Sequence, residues 1–188
     1  ERRALGIGRT FQVAQVFEAL TVIQNLQLVL KANTGVSALD TLDDADHDAA
    51  LAWAQTMGLE KLGLEALHAS AAHLSYGNKK RLELAMAMAG LPKPSQGLML
   101  LDEPAAGLSP EERSDMMARV KRMSDLGTTV LYTEHNMDAV FGVADRVLVL
   151  IDGQLVAQGT AQEVAANDVV RQRYLGQAFT FNGGAGHA

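Results

Sequence analysis

The sequence contains no cysteine. That excludes disulfides, thiolate metal sites and cysteine nucleophiles, and it fits a reducing compartment. It has no apolar run near the ~18 residues of a membrane span. The longest, Leu98-Met99-Leu100-Leu101 and Val147-Leu148-Val149-Leu150-Ile151, are strand-sized, so any membrane role is expected to be peripheral. Basic charge is in deficit: the formal net charge is -6, whereas nucleic-acid binding usually needs a basic face. The opening Glu1-Arg2-Arg3 leads into no signal-peptide pattern. No internal repeat is present, and no Gly-x-x-x-x-Gly-Lys-Ser/Thr phosphate loop occurs anywhere in the 188 residues.

What is there reads as one globular domain with a real core: 48% of residues are hydrophobic and 20% charged. The first half is mostly helical. Ile7 to Gln12 reads as a short strand. Leu20 to Leu30 has helical apolar spacing behind a Thr21 cap, and residues 33–48 read as a polar loop. Helices are predicted over Ala49–Met57, ending at Gly58, and over Glu60–Leu67. A further helix over Leu74–Gly90 is capped by Ser75, with Leu82, Ala85, Met86 and Ala89 on one face. From Leu98 strands and helices alternate. Strand Leu98–Leu101 precedes a helix from Pro110 to about Leu126, whose start combines Ser109 as cap, Pro110 at the first position and Glu112 three after the cap. Strand Thr128–Thr133, a helix around Asp138–Val143, and strand Arg146–Ile151 follow. Asp152-Gly153 turns that last strand into Gln154–Gln158 as a hairpin. Short helices Ala161–Ala166 and Val169–Leu175 and a disordered Gly-rich end from Asn182 complete the chain.

Several segments carry chemistry. Leu98–Leu101 delivers Asp102 and Glu103 to a strand's carboxyl end, where open α/β sheets keep their sites. Phosphoryl transfer needs one carboxylate for Mg²⁺ and another to orient or deprotonate water. Side chains of successive strand residues point to opposite sides, so the pair can divide these roles; a solvated strand end before a turn has the same pattern. Leu74-Ser75-Tyr76-Gly77-Asn78 opens a helix with a hydroxyl and a glycine, an arrangement suited to an anion, and equally to an ordinary cap. Lys79-Lys80-Arg81 reads as a solvated face, because no aromatics interleave with it. Thr133-Glu134-His135-Asn136 ends a strand that, as a parallel neighbour, would bring His135 to the edge that holds Glu103. Gln12 ends a strand and would contact a metal or water, or face solvent.

Taken in this order and spacing, these segments resemble the ABC ATPase family. Its Q-loop resembles Phe11-Gln12, its Leu-Ser-Gly-Gly-Gln signature Leu74–Asn78, and its Walker B strand Leu98–Asp102 with Glu103 following. Its D-loop resembles Ala106–Ser109 and its switch histidine His135. Gly8-Arg9-Thr10-Phe11-Gln12, the Tyr76 of the signature, Asp102–Leu108 and Tyr174-Leu175-Gly176 look most like ATPase subunits of branched-chain amino-acid importers. The resemblance implies an incomplete P-loop NTPase domain over 1–176: a mostly parallel sheet, a helical subdomain at about 13–92, an α/β core at about 93–176 and a flexible tail at 177–188. Asn78 stands where the signature usually has Gln, and Ser109 where many D-loops have Asp.

By resemblance, the cofactors are ATP and Mg²⁺. Gln12 would touch Mg²⁺ or the water, Asp102 would hold Mg²⁺, Glu103 would be the general base and His135 would meet the γ-phosphate. Ser75, Gly77 and Asn78 would meet ATP bound on a second ATPase subunit, head to tail. Val16, Phe17 and Leu20 would lie near the groove for a transmembrane permease subunit, or pack in the core. The implied location is the cytoplasmic face of the cell membrane, and nucleic acid is not an expected partner. The family's phosphate loop and its strand come before the Q-loop. These residues alone are therefore expected to be ATP-incompetent and to leave Val130, Leu131, Val147 and Val149 uncovered where that strand would lie. The competing readings are a non-transport ABC ATPase and a non-enzymatic dimerisation module.

Overall fold

The computed structural model describes residues 5–33 and 44–175. They form two compact units, one running to Glu134 and one beginning at His135.

The first unit is built on a parallel sheet of β1 (Ile7–Arg9), β2 (Leu98–Asp102) and β3 (Thr129–Thr133), in that spatial order. Ile7 pairs with Leu98 and Arg9 with Leu100; Leu98 pairs with Thr129 and Asp102 with Thr133. Parallel pairing sends all three carboxyl ends to one edge, so the register alone brings Asp102 beside Thr133. β1 is shorter than its predicted span to Gln12. Thr10 N–H still donates to Leu100 O at 3.0 Å, and then the chain leaves the sheet. Met99 and Leu101 are buried and anchor β2.

The helices follow their predicted caps. α1 (Val22–Asn33) starts at Thr21, whose hydroxyl accepts from Gln24 N–H while the Gln24 side chain accepts from Thr21 N–H. α2 spans Asp44–Thr56, beginning inside the segment predicted as loop; residues 34–43 lie outside the described ones. A 3₁₀ turn (Leu59–Leu62) and α3 (Leu64–Leu67) divide the predicted Glu60–Leu67 helix at Gly63. α4 (Tyr76–Ala89) is capped by Ser75, and α5 (Pro110–Asp125) by Ser109.

α4 departs from its single predicted apolar face. Leu82, Ala85, Met86 and Ala89 are buried as expected, but so are Lys80 and Glu83. The reason is placement: α4 packs against α1, α2 and β1, so it is enclosed on several sides.

In the second unit, α6 (Met137–Phe141) is capped by Asn136. β4 (Val147–Ile151) and β5 (Gln154–Gly159) form the predicted hairpin, antiparallel, with Asp152 and Gly153 both at positive φ (50° and 75°), the conformation a two-residue type I′ turn requires. α7 (Ala161–Ala166) carries a Thr160/Glu163 capping box. The predicted Val169–Leu175 helix is instead α8 (Asp168–Val170) followed by a wider turn, Arg171–Leu175. Val147 is buried with Val164 and Val170, and Val149 packs against that cluster. The expectation that Val147 and Val149 are uncovered therefore fails. The exposed residues of β4 are Leu148 and Leu150, on the opposite side of the strand, because α7 and α8 cover the valine face. In β3, Leu131 is exposed as expected and Val130 is half-buried. The tail from residue 176 lies outside the described residues.

Candidate functional site at the carboxyl edge of the parallel sheet

β2 ends on Asp102, exposed, and the chain turns at Glu103, half-buried. Glu103 has φ 45°, a left-handed conformation that costs a non-glycine residue about 1–3 kcal/mol and persists only where the surroundings hold it. They do. Its N–H donates to Thr133 O (3.1 Å) and lies 3.3 Å from Thr133 Oγ1. Its carbonyl accepts from Lys80 Nζ at 3.2 Å, and its Oε2 accepts from Gln12 Nε2 at 3.3 Å. The Thr133 hydroxyl also donates to Asp102 Oδ1 at 2.9 Å. Two residues on, Ala105 N–H donates to Glu134 Oε1 at 2.9 Å.

Gln12 is thus brought to Glu103 across the sheet edge. Its loop is fixed from below by α4: Tyr76 Oη donates to Gln12 O at 3.0 Å, and Phe11 N–H donates to Glu83 Oε1 at 3.2 Å. Burial pushes the Glu83 carboxyl up to about 7, against the N–H groups of Phe11 and Gln15 and the charge of Lys80, which pull it down. Burial likewise lowers the Lys80 ammonium, while Glu83, Glu134, Glu103 and Asp102 oppose the shift. Tyr76 is raised, first by burial and then by Glu83.

The signature residues sit at the start of α4. Ser75 is exposed, and its Oγ accepts from Asn78 N–H at 3.3 Å. The Asn78 side chain accepts from Arg81 at 2.9 Å, and Arg81 pairs with Asp115 of α5 at 3.0 Å. Gly77 is buried at a close approach: a Cβ there would meet Glu112 Oε1 at 2.8 Å. Glu112 is itself occupied in the α5 capping box, accepting from Ser109 N–H at 3.1 Å while its own N–H donates to Ser109 Oγ at 3.2 Å. The signature turn therefore packs on the D-loop cap within one chain. His135 is exposed just after β3 and opens the second unit.

The structure joins Gln12, Asp102 and Glu103, and links them to the signature through Tyr76. Sequence reading missed Thr133, Glu134 and Glu83 as site residues, read Glu112 only as part of the start of α5, and placed on a solvated face a Lys80 that is buried. The available signal for Lys80 and Glu83 was their i, i+4, i+7 spacing from Tyr76, which sets all three on one helix face. Among the described residues, no group of three or more His, Asp or Glu forms a metal cage. Mg²⁺ does not need one: it is commonly held by one or two carboxylates, with water and phosphate oxygens completing the shell. The Asp102 carboxylate and the Gln12 amide oxygen fit that donor set.

Fold and site together define an α/β ATPase cassette with a helical signature element. The chain belongs to the ABC transporter family: the family's model, described as "ABC transporter", matches residues 1–106. It is 35% identical over 184 residues to LivG of Salmonella typhimurium, the high-affinity branched-chain amino acid transport ATP-binding protein, spanning 93% of this chain and 69% of that protein. It is 34% identical over 179 residues to LptB of Escherichia coli, the lipopolysaccharide export system ATP-binding protein (95% and 68%). A solved ATP-binding cassette of an ABC transporter superposes with a TM-score of 0.73 at 29% identity, over 94% of this chain and 71% of that one. The chain is part of an ABC-type ATPase subunit, a family whose domain binds ATP or ADP.

Proposed function

We propose that the complete protein drives uptake of branched-chain amino acids or related small solutes by hydrolysing ATP. The observation that carries the catalytic part is the Gln12–Glu103 contact beside Asp102, with Glu103 held in a strained conformation. Glu103 takes the proton of the attacking water at its carboxylate, and Gln12 orients that water through its amide. Asp102 and Gln12 would hold Mg²⁺, which would offset charge on the phosphates. His135 contacts the γ-phosphate. Ser75, Gly77 and Asn78, at the N-terminus of α4, meet ATP carried by a second ATPase subunit, where the helix dipole favours an anion.

Phe17 supports a permease contact. Asn25 fixes its main chain from both sides, accepting from Phe17 N–H at 2.8 Å and donating to Phe17 O at 3.0 Å, yet its ring is exposed. No described helix is long and apolar enough to cross a membrane, and we place the subunit peripherally on the cytoplasmic face, against transmembrane permease subunits. Residues 13–92 would be the helical subdomain and 93–176 the α/β core. The solute assignment rests on the likeness to LivG and on the importer-like wording of the motifs.

The test is Glu103→Gln in the complete protein with its permease. The variant should bind ATP, lose turnover by about 10²–10⁴-fold, and lose uptake of leucine, isoleucine and valine in parallel. Near-normal turnover would remove Glu103 as the base. Lost turnover with intact uptake of all three and failing lipopolysaccharide export would replace the importer reading with the LptB-like one.

A further inference from the structure

We infer that one face of α4, carrying Tyr76, Lys80 and Glu83, is the positioning element of the hydrolytic pair, with Lys80 holding the Glu103 peptide and Tyr76 and Glu83 holding the loop of Gln12. This rests on the proposed role of Glu103. The three side chains lie at i, i+4 and i+7, hence along one side of the helix. Lys80 is 3% exposed and Glu83 5%. Lysine and glutamate are almost never so buried unless they are paired, because desolvating them is costly. Each of the three has a main-chain partner in the site: Lys80 Nζ binds Glu103 O, Glu83 Oε1 accepts from Phe11 N–H, and Tyr76 Oη binds Gln12 O. Because these contacts are to main chain, they hold the two loops while the Gln12 side chain meets the Glu103 carboxylate at 3.3 Å.

Lys80 has the most consequential contact. Glu103 sits at φ 45°, a conformation its own backbone disfavours. Thr133 restrains the Glu103 N–H, and Lys80 together with the Ala106 N–H (3.1 Å) restrains its carbonyl. Removing Lys80 leaves the carbonyl to the Ala106 N–H alone among these contacts and loosens the line of the carboxylate to the water. The Tyr76 ring, 5.8 Å from Lys80 Nζ, also steadies the ammonium.

The experiment compares Lys80→Met, Lys80→Arg, Tyr76→Phe and Glu83→Leu in the complete protein. ATP turnover is read beside amide hydrogen exchange of segments 11–15 and 103–106. Lys80→Met should lower kcat by about 10- to 100-fold while leaving KM for ATP within about twofold, because it misplaces a group that acts in the transition state. Lys80→Arg, which keeps a cationic donor, should recover most of the loss. Exchange should rise at 103–106 in Lys80→Met and at 11–15 in Glu83→Leu. Normal kcat with unchanged exchange in Lys80→Met overturns the inference. If that variant does not fold, Tyr76→Phe decides: its ring is exposed, and unchanged kcat with unchanged exchange at 11–15 is the overturning result. If Glu103→Gln itself keeps its turnover, the base assignment fails, but the exchange pattern still tells whether α4 holds the two loops.

Discussion

At the scale of single residues, the site is held by polar groups that would be expensive to bury without partners. Glu83 shows this in its titration. Its carboxyl is raised from 4.5 to about 7, chiefly by burial. Lys80 and Tyr76 face it from its own helix, and the Phe11 and Gln15 N–H groups from the loop. A carboxyl whose folded pKa lies above its unfolded one favours the protonated folded state. Below about 4.5 both states are protonated and the group has no differential effect. As pH rises from about 4.5 to about 7, the unfolded chain ionises first, and folding loses stability relative to a non-titrating variant. Above about 7 the loss is complete and constant. Denaturant midpoints of the wild type and Glu83→Gln at pH 5 and pH 8 check this. The variant's advantage should be larger at pH 8, and an advantage equal at both pH values would contradict the raised pKa.

The elements divide into those whose cause is local and those whose cause is tertiary. α5 was legible because Ser109, Pro110 and Glu112 specify its start through bonds made within one turn, and the capping box is present. The hairpin was legible because Asp152-Gly153 tolerates the positive φ its turn needs. α4 was legible as a helix but not as a three-sided buried one, since nothing local says that α1, α2 and β1 will enclose it. The same gap explains the site. Asp102, Glu103 and Gln12 could be singled out from residue type and order, but Thr133 enters only through the β2–β3 register, and Lys80 only through how deeply α4 is set. The valine face of β4 was misjudged because α7 and α8 cover it, a packing choice that strand alternation alone leaves open. At this scale Ser109→Ala should cost about 1 kcal/mol of stability, the usual loss of a Ser cap. Because the Glu112 carboxylate that closes the box also abuts Gly77, exchange should rise at the start of α4 as well as α5. Thermal unfolding with exchange read by segment checks it; a loss confined to α5 would mean that the D-loop cap and the signature turn are independent.

Over the whole molecule, the described residues hold the Q-loop, the signature, the carboxylate pair, the D-loop and His135, while the 188-residue sequence contains no Gly-x-x-x-x-Gly-Lys-Ser/Thr motif. In the family that loop binds the phosphates of the subunit's own nucleotide. On the roles proposed above, what remains here would serve other parts of the reaction: Asp102 and Gln12 would address the metal, Glu103 the water, and Ser75 with Gly77 the nucleotide of a second subunit. None of these grips a phosphate with a backbone cradle and a lysine in the same chain. Each charge-assisted hydrogen bond of such a cradle contributes about 1.5–3 kcal/mol. Without even three of them, binding weakens by more than about 4 kcal/mol, or about three decades in affinity. A polypeptide of these 188 residues, prepared by itself, should therefore bind Mg-ATP about three decades more weakly than a complete cassette. Titration calorimetry with Mg-ATP measures this directly. Binding as tight as that of a complete cassette would show that the carboxyl-edge residues and the α4 N-terminus form a nucleotide site of their own, and the division of labour between a phosphate cradle and the groups described would have to be redrawn.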